Sequence, residues 1–332
     1  MGFGTTTQQV GLMAVFILLG LFAAKKGWLG QAAILGLTNV LVYFVTPAVI
    51  VLSFHRPFSA GQWHNMWVAG LVTAAAYLAM IGLVWLLYGK VRDPALRRDL
   101  RFSGIYSNAG FMGIPLVQAL LGADGVFFAA LFLVGFNLFA WTQGWSMWVG
   151  ARGADRPTDS GADRPDSGAD RPADSGGPLK PLKPLLTNPV IPAVVIGVVL
   201  FVTSAPLPRI VTDGLGYLSG INAPLSMFVI GANLLGVRWK SLVADRWLWL
   251  ATAVRTLLIP AIAILALWHI PLPEHARLAL LIPLSCPVAT YLVMFGVLHR
   301  TDTGFATRLV CLSTALSVLT LPTVTTVATA LW

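Results

Sequence analysis

The sequence predicts an all-α membrane protein: ten transmembrane helices forming two inverted five-helix repeats, with one interrupted helix in each. Three observations lead there. The chain has 332 residues, 57% of them hydrophobic and 11% charged, and its mean hydropathy is +0.78. Soluble domains carry about 25% charged residues, so this chain cannot cover a globular surface with polar groups, and lipid must be its main solvent. Second, its apolar residues gather into spans of membrane-crossing length. Third, a polar run rich in Gly and Pro interrupts one span in each half, at matching places.

Ten segments are long enough, with modest tilt, to cross about 30 Å of hydrocarbon. They are roughly 8–24, 31–54, 66–88, 101–121, 125–149, 188–204, 209–235, 246–268, 276–298 and 303–330. The first lacks a basic stretch before it and is followed by Lys25-Lys26 rather than a cleavage site. It reads as an uncleaved span and not a signal peptide. Between the fifth and sixth spans, residues 154–161, 162–168 and 169–176 read ADRPTDSG, ADRPDSG and ADRPADSG. Near-copies this rich in Asp, Pro, Ser and Gly cannot bury apolar surface, so a disordered linker is expected there. A tolerated low-complexity insertion is the simpler reading of it, a regulatory element the other. The chain thus divides into a first five-helix repeat over 1–149, a cytoplasmic linker over 150–187 and a second, inverted repeat over 188–332.

The two blocks superimpose at a shift of about 177 residues. Span 31–54 maps onto 208–231, carrying Pro47 onto Pro224; 66–88 maps onto 243–265, and 125–149 onto 302–326. The interruption from Asn108 to Pro115 lands on Ser285 to Leu292. Few residues coincide, so hydropathy and the helix breakers carry the match. Five spans is an odd number, and the second block must therefore enter the membrane from the opposite side. Charge tests this independently. With the N-terminus outside, seventeen of the 22 Lys and Arg fall in inner loops and only Arg56, Arg209 and Arg277 in outer ones. Basic residues in short loops favour the cytoplasmic side. Both termini are expected outside a cell membrane crossed many times, with the central loop in the cytoplasm.

The interruptions read Ser107-Asn108-Ala109-Gly110-Phe111-Met112-Gly113-Ile114-Pro115 and Pro283-Leu284-Ser285-Cys286-Pro287-Val288-Ala289-Thr290. Pro lacks a donor and Gly favours other conformations, so neither run sustains a continuous helix. Freed backbone groups in lipid cost several kcal/mol each unless protein or a watered cavity satisfies them. Taken alone, either run is a kinked helix; paired at corresponding positions, they point to a transporter binding site. A half-helix N-terminus at the interruption, with free N–H groups and roughly half a positive charge, attracts an anion such as a carboxylate. Asn108 adds an amide donor, and Ser285, Pro287 and Thr290 repeat the elements in the second half. Pro47 and Pro224 bend their helices, around that point or as plain kinks. Asn137 and Gln143 read as inter-helix hydrogen-bonding groups.

Acidic residues inform by absence. The chain has 13 Asp plus Glu, each in a loop, at a span edge or in the linker. Coupling ions usually rest on intramembrane carboxylates, which leaves backbone carbonyls of the broken helices to hold a cation. Arg255, in contrast, lies nine residues into the eighth span, where an isolated arginine costs at least about 2.5 kcal/mol. A bound anion or backbone carbonyls must compensate it, and the anion is the reading adopted. Cys286 and Cys311 fall in apolar spans as packing residues. The five histidines sit at span ends and loops as interfacial anchors. A net charge of +9 lies between spans rather than on one stripe, which suits topology and anionic lipid but excludes nucleic acid as a partner. Signatures of nucleotide binding, zinc hydrolysis and a nucleophile elbow are missing, so no enzyme activity, cofactor or metal is expected.

The run from Ser107 to Leu116 resembles the fourth-span signature of the auxin efflux carrier family, the bacterial relatives of plant auxin carriers and malate-type permeases. Asn188-Pro189, Pro224-Leu225-Ser226-Met227, Arg255 and Cys286-Pro287 resemble it too. The likeness covers nearly the whole chain except the linker. It implies that helices 4 and 9 are broken and cross, and that a transport part moves against a scaffold for alternating access. It implies organic-anion substrates, malate-like or auxin-like, with Asn108, Gly110 and Pro115 at the first crossover and Ser285 and Pro287 at the second. The long central loop of plant members is replaced here by the repeats.

The expected function is therefore a secondary carrier for small organic anions such as carboxylates, its substrate held by Asn108, Gly110, Pro115, Ser285, Pro287 and Arg255. The alternatives are a sodium-coupled organic-anion importer of similar fold and a non-transporting membrane sensor or structural subunit. The expected partners are the anion, bilayer lipid and a second copy of the chain in a homodimer.

Overall fold

A computed structural model describes residues 3–149, 188–233 and 245–332. The linker expected over 150–187 lies outside the described residues, as does the loop around Arg238 and Lys240. Among the described residues the regular structure is helical, with one isolated antiparallel bridge, Ser107 to Val288, and no strand.

Helix α1 (Phe3–Lys25) opens the chain. Helices α2 (Gln31–Val40) and α3 (Thr46–Phe54) form one run joined by a π-helical turn, Leu41–Val45. Then come α4 (Ala60–Tyr88) and the short α5 (Pro94–Ile105), which stops at the first interruption. A π turn, Ala109–Gly113, leads into α6 (Ile114–Phe139), and another, Ala140–Gly144, into α7 (Trp145–Val149). The second part contains α8 (Val190–Thr203), α9 (Arg209–Gly220), α10 (Asn222–Asn233) and α11 (Arg246–Ala253). A π turn, Val254–Leu258, precedes α12 (Ile259–Trp268), and α13 (Glu274–Ser285), α14 (Tyr291–Leu298) and α15 (Gly304–Leu331) complete the chain.

Among the described residues six helical runs are long and apolar enough to cross a membrane: Ala32–Phe54, Ala60–Tyr88, Ala109–Trp148, Arg209–Asn233, Arg246–Trp268 and Gly304–Leu331. Gly11–Lys25 and Val190–Thr203 are apolar but shorter. The remaining expected spans depart from plain helices for visible reasons. Segments 101–121 and 276–298 are each cut by their interruption, the first into α5 and the start of α6, the second into α13 and α14. The run Ala109–Trp148 is broken within α6 by Gly122, at φ 63° and ψ −155°, which is where the sequence ends its fourth span.

Four π turns occur among the described residues, and three stand directly before a helix with proline near its start. Leu41–Val45 precedes Pro47, Ala109–Gly113 precedes Pro115, and Val254–Leu258 precedes Pro260. Proline has no N–H, and its ring collides with the carbonyl four residues back. A turn widened by one residue moves that carbonyl away, which is how a π bulge relieves the conflict. Pro224 instead sits in the first turn of α10, just past the end of α9 at Gly220.

Burial separates a lipid face from a protein face. On α4, Trp67, Leu71, Leu78 and Leu86 are exposed, while Ala69, Thr73, Tyr77, Met80 and Val84 are buried. Lipid is the solvent that makes an exposed apolar stripe of that length stable. Inside, Tyr77 stacks on Phe139 with centroids 5.0 Å apart, and Phe102 lies 4.5 Å from Tyr106. Helices α1 and α10 touch backbone to backbone. A Cβ at Gly20 would fall 1.9 Å from the Phe228 carbonyl oxygen, and one at Gly231 1.8 Å from that of Ile17. Close approach through small residues is how helices associate where the hydrophobic effect gives no net drive.

Candidate functional site

Each interrupted helix ends early. The Asp93 carboxylate caps α5, accepting from the amides of Ala95 at 2.9 Å and Leu96 at 3.4 Å, with Pro94 in the first turn. The helix stops at Ile105 because Tyr106 turns extended, at φ −101° and ψ 114°. Helix α13 carries Pro283 in its last turn and gives way to extended backbone at Cys286, φ −59° and ψ 154°.

The two extended stretches cross and satisfy each other. The Asn108 N–H donates to the Pro287 carbonyl at 2.7 Å, and the Ala289 N–H to the Tyr106 carbonyl at 2.9 Å. The Val288 N–H donates to Ser313 Oγ at 3.2 Å. Irregular backbone is tolerated at membrane depth when protein supplies such partners. The helices then restart. The carbonyl of Asn108 accepts from Met112 and Gly113 at 3.1 and 3.2 Å, and that of Thr290 accepts from Val293 and Met294, both at 3.1 Å. The N–H groups of a first helical turn have no intrahelical partner, so two positive helix ends originate at Asn108 and Thr290.

Two cavities flank this crossing, of about 50 Å³ and about 410 Å³. Asn108, Phe111 and Thr290 line both. The smaller adds Ser107, Gly110, Asn137, Asn188 and Tyr291; the larger adds Thr38, Asn233, Met294 and Thr307. Every described residue lining either cavity is uncharged. The amides are ordered by one another: Asn188 Nδ2 donates to Asn137 Oδ1 at 2.6 Å, and Asn137 Nδ2 to the Leu133 carbonyl at 2.8 Å. A second pair joins α6 to α10, with Asn222 Nδ2 donating to Gln118 Oε1 at 2.9 Å. Gln143, in the π turn before α7, accepts from the hydroxyl of Tyr106 in the first extended stretch at 2.6 Å.

Of the residues expected to hold substrate, Asn108 and Gly110 line the smaller cavity and Asn108 the larger as well. Pro115, Ser285 and Pro287 are buried at the crossing and line neither cavity. The Ser107 and Ser285 hydroxyls are buried without a hydrogen-bond partner among the described residues. Arg255 is fully buried and lines neither cavity. Its Nε donates to the Cys286 carbonyl at 3.0 Å, Nη1 to the Gly104 carbonyl at 3.1 Å, and Nη2 to the Leu284 carbonyl. Of the two environments expected for it, an anion or backbone carbonyls, the carbonyls are the one found. Phe111 and Tyr291 also line the cavities, with no signal in the sequence beyond lying in or beside an interrupted run; Asn137, expected in helix contacts, serves both roles.

Helical runs of membrane-crossing length, and two interrupted helices crossing beside uncharged cavities, define the build of a membrane transporter. A family profile described as "Membrane transport protein" matches residues 7–325. The chain belongs to that family, the family of the auxin efflux carriers. It is similar to a protein described as an uncharacterized transporter from Methanothermobacter thermautotrophicus, 22% identical over 319 residues and covering 96% of each chain. The protein is thus a multi-pass membrane transporter.

Proposed function

We propose that the chain is a secondary carrier for small organic anions, namely singly charged carboxylates with an apolar body. It works by alternating access around the crossing of its two interrupted helices. The observation that carries this reading is the position of Asn108 and Thr290. Both start the second half of a broken helix, and both line the two cavities. Each half-helix N-terminus presents roughly half a positive charge, and together they match about one carboxylate. With no charged side chain in the described lining, a second carboxylate on the ligand has no counter-charge. Phe111, Phe136, Leu133 and Tyr291 offer the ligand an apolar bed. The unequal cavities suit a site that opens to one side at a time, and ten passes in two inverted repeats are part of the same reading.

The test is uptake by the purified protein in liposomes, using monocarboxylates and dicarboxylates of similar size under an imposed membrane potential. Monocarboxylates are expected to enter and to compete with one another. Uptake confined to dicarboxylates overturns the charge argument, and saturable binding with no flux assigns the protein to a sensing role.

A further inference from the structure

Among the described residues Arg255 has no acidic partner. Among the described residues its contacts are the carbonyls of Gly104, Leu284 and Cys286, with Met80 Sδ at 3.8 Å. Those carbonyls have a common origin. Gly104 lies in the last turn of α5, Leu284 lies in the last turn of α13, and Cys286 is the residue that ends α13. The first halves of both interrupted helices therefore terminate on one guanidinium. A helix C-terminus carries about half a negative charge, so two of them present about one unit, which a single arginine balances. Its planar fork reaches three acceptors at once, a geometry a point-charge ammonium lacks. The side chain is aimed there by the π turn Val254–Leu258, on which it sits.

In carriers with discontinuous helices, half-helix C-termini and unwound carbonyls are where a free alkali cation is coordinated. We propose that Arg255 is a tethered cation that takes this position, neutralising both half-helix ends in every state of the cycle without sodium or another free metal ion. Two consequences follow from the contacts. Transport by this chain is independent of alkali cations, and α5 and α13 are held together at their inner ends as one moving unit. Arg255 acts here as a positioning residue, since it lines neither cavity.

The test needs no substrate, so its outcome is separate from that of the uptake assay. Thermal unfolding of the purified full-length protein is compared in sodium chloride and choline chloride at equal ionic strength. The same is done for Arg255→Lys, Arg255→Met and Arg255→Ala. The parent is expected to melt at the same temperature in both salts. Arg255→Ala should melt several degrees lower and recover part of the loss in millimolar methylguanidinium, which fits the vacated carbonyls. Arg255→Lys should melt above Arg255→Met, because charge matters more than volume. Saturable stabilisation of the parent by sodium, or a Met variant as stable as the parent, overturns the proposal. So does a folded Ala variant that gains nothing from methylguanidinium. Should the Ala variant not be recoverable, the parent's salt comparison and the Lys–Met order decide.

Discussion

The backbone amide of Asn108 donates to the carbonyl of Pro287 at 2.7 Å, one residue from each interrupted helix. Because the Ala289 amide returns the bond to Tyr106 at 2.9 Å, the two extended stretches bond to each other through main chain. Pro287 has no N–H to offer, so its only backbone role is the acceptor it plays. Fastening by backbone leaves the side chains of Asn108 and Thr290 free to face the cavities. Interruption and binding surface thus arise from one arrangement.

The closeness of that crossing gives the first prediction. A Cβ at Gly113 would lie 2.8 Å from Pro283 Cβ and 2.9 Å from Pro283 Cα, atoms that cannot swing aside. Gly113→Ala should destabilise the protein by about 1–3 kcal/mol, the usual penalty of overpacking. At Gly110 the added Cβ meets only Leu133 Cδ1, at 3.5 Å, an ordinary contact. Gly110→Ala should fold like the parent and intrude only on the cavity. Thermal unfolding in detergent distinguishes them, and equal melting temperatures for the two variants refute the close-packing account.

Substrate affinity gives the second. Asn108→Ala and Asn137→Ala remove amides from the cavity lining, and a neutral hydrogen bond is worth about 0.5–1.5 kcal/mol net. Affinity should fall a few-fold to about tenfold, most at Asn108, which borders both cavities. Ser285→Ala should bind as the parent does, since its hydroxyl is buried, unpartnered among the described residues and outside both linings. Titration by substrate-induced thermal stabilisation checks the order. A Ser285→Ala loss larger than that at Asn108 moves the site to the α13 side.

What could be read from the sequence was whatever depends on local chemistry. Gly and Pro at 110, 113, 115, 283 and 287 mark the breaks because their backbone effects need no tertiary context. Asn108 followed as a lining group because it starts the restarted helix. Arg255 shows where the reading ran out. Composition establishes that a buried arginine must be compensated, but only the fold brings Gly104 and Leu284 to it from opposite halves of the chain. The same holds for Asn137 and Asn188, whose pairing at 2.6 Å spans 51 residues of sequence. The π turn before Pro47 was legible only as a bend, since widening and kinking leave the same mark in sequence.

Orientation gives the third prediction. The excess of basic residues in alternate loops predicts the loop at Ser59 outside and the loop at Arg92 inside; both residues are exposed. In a background lacking Cys286 and Cys311, Ser59→Cys should react with a membrane-impermeant maleimide on intact cells and Arg92→Cys only after lysis. The reverse pattern inverts the topology.

The last prediction concerns Asp99, which lies on α5 ahead of the apolar part of its span. Its carboxylate is buried and takes two bonds from Arg98, Nε and Nη2 both at 2.9 Å from Oδ1. Arg98 in turn lies with its guanidinium carbon 4.9 Å from the Trp148 ring centroid. Burial pushes the Asp99 carboxyl up from its ordinary 3.8 to about 6; Arg98 pulls against this, and Asp302 and Asp93 add to it. Between about pH 4 and 6 the folded protein therefore keeps a proton that the unfolded chain has released. The folded state then binds more protons, so the contribution of this group to stability is complete below about pH 4 and declines as pH rises to about 6. Asp99→Asn cannot titrate, and its amide oxygen still accepts from Arg98. Across that interval the variant should gain in melting temperature relative to the parent, and the difference should level off above pH 6. A difference that stays constant from pH 4 to 7 shows that Asp99 is ionised throughout, with Arg98 outweighing its burial.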